Sequence, residues 1–134
     1  MKLNLKLPDK KHLILGSVLI LLFVGIIAGS FAFAVNKPSV VLFCADWNIR
    51  CREAKPALES VVSSYDNKVD LREIDIDSES APDAARSMGL SIPRAIPYIV
   101  IIDKNGNKIT ERNYNRETSQ QLKTALDPVI LPQL

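Results

Sequence analysis

Cys44 and Cys51 are the only cysteines in this 134-residue chain, and Cys51 ends the run Trp47-Asn48-Ile49-Arg50-Cys51. Sulfur chemistry needs a thiolate, and a thiol becomes one more readily beside cationic groups or at a helix N-terminus. Cys51 has both features. Arg50 and Arg52 flank it, and the apolar spacing that follows places it in the first turn of a helix. Three chemistries are open on these residues. Cys51 is a buried thiol that fills the helix turn, as free cysteines often are. Alternatively, it forms mixed disulfides with other thiols. Or Cys44 and Cys51 bond to each other, which requires a Cα separation below about 7 Å that spacing alone does not establish. Asn48 has an amide, which does not attack sulfur but makes a good helix N-cap. His12 is the single histidine, and no acidic cluster has metal-ligand spacing. We therefore expect no metal and no cofactor.

The elements that must position these residues are legible in the hydrophobic pattern. Residues 39–45, Ser-Val-Val-Leu-Phe-Cys-Ala, form an almost wholly apolar run that reads as a buried strand delivering Cys44. A helix from residue 48 to about 65 follows from Ile49, Ala54, Ala57, Leu58, Val61 and Val62 at helical spacing. Pro56 inside it removes one backbone hydrogen bond. Residues 69–76 read as a second strand, residues 77–80 as helix-capping residues, and residues 81–88 as a short helix ended by Gly89. After a loop containing Pro93, residues 97–102 form another buried strand. It is joined through the turn Asp103-Lys104-Asn105-Gly106 to a strand over 108–114. The last helix is expected over 116–127, stopped by Pro128. This order calls for a mixed sheet with helices on both faces.

That order and four local sequences in register resemble the thioredoxin family over nearly all of residues 38–128. Phe43-Cys44-Ala45-Asp46-Trp47 is similar to the strand end that delivers a thioredoxin active site. Cys51 with Pro56 five residues on matches the family's second active-site cysteine and helix proline, Ile96-Pro97 its cis-proline, and residues 103–106 its hairpin. The resemblance implies an α/β thioredoxin-like fold, a mixed four-stranded sheet flanked by helices, occupying residues 38–130. It also implies a substrate groove at Trp47, Ile96 and Pro97, flanked by Tyr98, that pairs with an extended segment of a client protein. In the family the first cysteine of Cys-x-x-Cys attacks and the second releases the product. Here the nucleophile position is Asn48, and the family's buried acid is replaced by Leu42. Any oxidoreductase activity therefore rests on Cys51, alone or with Cys44. In this fold the motif helix packs on the Leu42 side of the strand, which is also the Cys44 side, so the resemblance brings Cys44 within reach of Cys51.

The first 37 residues have a different character. Residues 13–35 contain no charged side chain, and 23 residues of helix rise about 35 Å, enough to cross a hydrocarbon layer. Lys2, Lys6, Lys10 and Lys11 precede this stretch. The expectation is a cytoplasmic basic N-terminus over residues 1–12 and a transmembrane anchor over 13–35, with the domain on the periplasmic, lumenal or extracellular side. Ala32-Phe33-Ala34 also fits a signal-peptidase site, and cleavage after Ala34 would secrete the domain. Residues 38–134 carry 12 basic and 14 acidic side chains without a basic, aromatic-rich patch, which argues against nucleic acid as a partner. The layout is similar to that of anchored thioredoxin-like proteins of envelope or thylakoid membranes. The expected role is extracytoplasmic thiol–disulfide homeostasis, and the alternative is a non-catalytic binding or assembly module at the membrane.

Overall fold

Every side chain of the strand β1, Ser39–Cys44, is buried, because two neighbouring strands and two layers of helix enclose it. The computed structural model describes residues 36–134. The expectations for residues 1–35, anchor and cleavage site included, lie outside the described residues. β1 pairs in parallel with β2, Asp70–Asp75, and antiparallel with β3, Tyr98–Ile102. β3 continues antiparallel to β4, Lys108–Asn113, giving a mixed sheet in the order β2-β1-β3-β4. The helices are α1, Ile49–Ser63, α2, Ala81–Ser87, and α3, Ser119–Ile130, which runs into a 3₁₀ turn over Leu131–Gln133.

Alternation along the central strands divides the core. Val40, Leu42 and Cys44 face one side, with Ile99 and Ile101, and pack against Cys51, Ala54, Leu58 and Val61 of α1 and Leu122, Leu126 and Ile130 of α3. Val41 and Phe43 face the other side with Ile74, Val100 and Ile102, covered by Ala81 and Ala85 of α2. The parallel β1–β2 pair fixes register: Leu42 lies opposite Glu73 and Cys44 opposite Asp75. Paired residues share a face, so Glu73 and Asp75 stand on the α1 side of the sheet.

Two ends depart from the sequence pattern. The last helix begins at Ser119 rather than 116, because Arg116 has a left-handed backbone (φ 58°) and Thr118 forms the cap. Thr118 Oγ1 accepts the Gln121 N–H while Gln121 Oε1 accepts the Thr118 N–H, a capping box. The helix also runs through Pro128 to Ile130. A proline within the last turn removes a single helix hydrogen bond, and the burial of Leu126 and Ile130 in the core outweighs that loss. Between 77 and 80 the expected cap is incomplete. Ser80 occupies the N-cap position of α2 without a side-chain hydrogen bond to the helix. Gly89 closes α2 as expected, at φ 68°, a conformation a side chain would oppose, with the Leu90 N–H donating to Ala85 O.

Candidate functional site

The end of β1 and the start of α1 are joined by four residues, 45–48, and this junction positions the chemistry. Asn48 is the N-cap of α1, with extended backbone (φ −84°, ψ 117°). Its Oδ1 accepts the backbone N–H of Arg50 at 2.9 Å and of Cys51 at 3.2 Å. The position a nucleophile would need is thus filled by a helix cap, whose side chain takes the Arg50 amide and shares the Cys51 amide with the Asn48 carbonyl.

Cys44 and Cys51 are joined in a disulfide, with Cα atoms 5.5 Å apart. Of the three chemistries open on the sequence, the structure holds the third, because β1 and α1 bring the two side chains onto the same face. The pair is buried, with Cys51 fully enclosed and Cys44 2% exposed. Its two sulfurs are not equivalent. Cys51 Sγ accepts the Ala45 backbone N–H at 3.4 Å and lies in the first turn of α1, where helix amides favour negative charge. Cys44 lies at the strand end.

Two concavities lie at this junction. The first, about 340 Å³, is lined by Trp47, Asn48, Ile49, Arg50 and Ile96. The Ile96–Pro97 peptide bond is cis, and the Pro97 carbonyl is taken by the Tyr114 N–H at 3.1 Å. Among the described residues the Ile96 backbone makes no hydrogen bond to another backbone group, so its N–H and carbonyl are the ones available beside this groove. Trp47 is 68% exposed, and its indole N–H donates to Asp77 Oδ2 at 2.7 Å, which fixes the ring over the groove. Asp77, expected as a solvated cap, is therefore a positioning contact. Ile49 was expected on the buried face of α1, yet it is 57% exposed and lines the groove. The sequence signal was present, since Ile49 falls in the first turn directly after the cap, before the helix meets the sheet.

Tyr98 does not join Trp47. It packs on the α2 side of the sheet and lines a separate cavity of about 520 Å³ with Lys108 and Glu111. Strand alternation sends its side chain to the face opposite Leu42, because Tyr98 pairs with Phe43. Burial and the Glu111 carboxylate raise its phenol above the ordinary range, and the Lys108 ammonium holds the Glu111 carboxyl below its own.

The second concavity beside the disulfide, about 200 Å³, opens on the β2 side. It is lined by Cys44, Ala45, Asp46, Lys55, Glu73, Ile74 and Asp75. Lys55 Nζ lies 3.3 Å from Glu73 Oε2 and 3.4 Å from Asp46 Oδ1, and the Glu73 carboxylate, then Asp46, hold its ammonium above the usual lysine range. The acid missing at Leu42 has a carboxylate opposite it in register, at Glu73. Sequence reasoning passed over Lys55 and Glu73, because their proximity to Cys44 is set by β1–β2 pairing and not by spacing along the chain.

A strand-end cysteine, a capped helix and a cis-proline loop meeting at one edge of a β2-β1-β3-β4 sheet define a thioredoxin-type protein with altered sulfur chemistry. The thioredoxin family model matches residues 26–127, and the chain belongs to that family. It is similar to the chloroplastic thioredoxin-like protein HCF164 of Oryza sativa, 31% identical over 77 residues, which are 58% of this chain and 28% of that protein. The corresponding Arabidopsis thaliana protein is 30% identical over 77 residues, again 28% of its length. The chain thus matches little more than a quarter of these curated relatives. Thioredoxin of Borreliella burgdorferi is 26% identical over 76 residues, 57% of this chain and 61% of that one. Among solved structures, oxidised thioredoxin O2 from Arabidopsis thaliana superposes with a TM-score of 0.54 at 25% identity, covering 71% of this chain and 76% of that chain.

Proposed function

We propose that this protein is a membrane-tethered thioredoxin-like protein of extracytoplasmic thiol–disulfide homeostasis whose redox couple is Cys44–Cys51. The observation that carries the reading is the disulfide itself. The only two cysteines in the chain close across the junction where the family does its chemistry, beside a groove with exposed apolar side chains. The uncharged stretch over residues 13–35 and the lysines before it support the tether and the orientation. An oxidising compartment would keep such a pair bonded between cycles. Insulin reduction by dithiothreitol, catalysed by the full chain in non-ionic detergent, tests the reading. Turnover should fall to background in both Cys44→Ser and Cys51→Ser. Turnover that survives Cys44→Ser, or none in the parent chain, contradicts it.

A second reading, a binding or assembly module, is favoured by one specific observation. The groove of Trp47, Ile49 and Ile96 has no cysteine in its lining, and both cysteines are buried. The occupant is then a protein segment held by apolar contact and by the free Ile96 backbone groups. Partners of a binding module are retained by Cys51→Ser, whereas partners of a redox protein are linked through a cysteine and lost in that variant.

A further inference from the structure

The two concavities differ in what they reach. No cysteine lines the groove beside Trp47, whereas Cys44 lines the cavity on the β2 side. Cys44, Glu73 and Asp75 share the α1 face of the sheet, and Lys55 comes down on them from α1. The cavity is small, about 200 Å³, a few water volumes, and too small for a folded chain segment. Asp46, Glu73 and Asp75 outnumber Lys55 at its wall, so its potential is negative. We propose that the Cys44–Cys51 disulfide is opened from this side by a low-molecular-weight thiol that is neutral or cationic, attacking Cys44 and expelling Cys51.

The step balances as thiol–disulfide exchange. The small thiol loses its proton to solvent and its sulfur bonds to Cys44 Sγ. The Cys44–Cys51 bond breaks, and Cys51 leaves as a thiolate. The structure favours that direction. Cys51 Sγ already accepts the Ala45 N–H and sits in the first turn of α1, both of which stabilise the departing negative charge. A second small thiol then attacks the mixed disulfide and releases the small-molecule disulfide and reduced Cys44. Two thiols are oxidised and one protein disulfide is reduced. Selectivity follows from charge: an anionic thiol approaches three carboxylates and one ammonium, whereas an amino thiol brings its own cation.

This inference rests on the reading of Cys44–Cys51 as a redox couple, and one experiment separates the two. The oxidised full chain in non-ionic detergent is treated with cysteamine, 2-mercaptoethanol or 2-mercaptoethanesulfonate, then quenched with an alkylating agent and mapped by mass spectrometry. The expected first product carries the small thiol on Cys44 and the alkyl group on Cys51. Per unit of thiolate, cysteamine should react about tenfold faster than 2-mercaptoethanesulfonate at low ionic strength, with the gap closing in 1 M salt. Glu73→Gln with Asp75→Asn should shrink the gap without salt. Both positions are at the exposed edge, so the fold survives. An adduct on Cys51, or equal rates for the three thiols, overturns the inference and leaves the redox reading standing. A disulfide that none of the three opens while the chain stays folded overturns both.

Discussion

The groove at Trp47 and the cavity at Cys44 lie at the same β1–α1 junction and, on the proposed reading, divide functions that a Trp-Cys-x-x-Cys motif would combine. The groove has apolar side chains in Trp47, Ile49 and Ile96 but no cysteine in its lining, while the cavity is lined by Cys44 and walled by charge. Two residues account for the split. Asn48 places a helix cap where an attacking thiol would stand, and Cys44 at the strand end gives Cys51 a disulfide partner. On the proposed reading, recognition and redox chemistry can therefore be altered separately in this molecule.

The largest expected effect comes from removing the link between the two regions. Closing a loop of sequence separation 7 lowers unfolded-state entropy by an amount worth roughly 2–3 kcal/mol, so Cys44→Ala with Cys51→Ala should lower stability by about that much in urea unfolding. A change near zero would mean that packing of the two side chains, and not the bond, holds the junction. Asn48→Ala comes next. It removes the side-chain acceptor of the Arg50 and Cys51 amides, of which Cys51 keeps the residue-48 carbonyl, and should lower stability by about 1 kcal/mol, while Asn48→Asp keeps the cap and adds a favourable charge at the helix start. If Asn48→Ala is neutral, the cap is not what the residue supplies.

Acid should act far from both regions, which makes it a control on the comparison. Backbone amides of Asn107, Asn105 and Gly106 hold the Asp103 carboxyl below its ordinary range in the hairpin, and hydrogen bonds from Lys123 and Tyr65 do the same for Asp127. A carboxyl with a depressed folded pKa contributes stability above its unfolded value and loses it as pH falls through the folded one. Stability should therefore decline below about pH 4, the ordinary aspartate range. Asp103→Asn with Asp127→Asn should flatten that decline without changing the thiol chemistry. A decline of unchanged steepness would assign it to other carboxyls. The smallest effect on stability is expected at the groove: Trp47→Ala and Ile49→Ser remove exposed side chains and should shift unfolding by under about 0.5 kcal/mol while weakening capture of a partner. A larger loss would mean that the Trp47–Asp77 hydrogen bond organises the loop as well as the groove.

Much of the scaffold was legible because it is written in local pattern. The almost wholly apolar run at 39–45, the cap at Asn48, Gly89 after α2 and the turn at 103–106 each specify backbone through local residue type. The pattern failed where tertiary burial overrides a local rule, as at Pro128, which Ile130 carries the helix past, and where a side chain leaves an element before it reaches the core, as at Ile49. For the site, spacing brought Cys44 and Cys51 into consideration together but left three chemistries open, since only the packing of α1 on β1 sets their separation. Lys55 and Glu73 had no signal at all in the linear order. They lie 18 positions apart, and their ion pair exists because β2 pairs with β1 in one register.

The central claim is that the bond between Cys44 and Cys51 is a working couple in an otherwise intact thioredoxin fold. A titration of the full chain against dithiothreitol redox buffers, read by alkylation mass and by circular dichroism at each point, tests it most directly. The account predicts one reversible two-electron step, both thiols appearing together while the circular dichroism signal of the folded chain is retained. Reduction that occurs only as that signal is lost would contradict it and make the disulfide a structural staple.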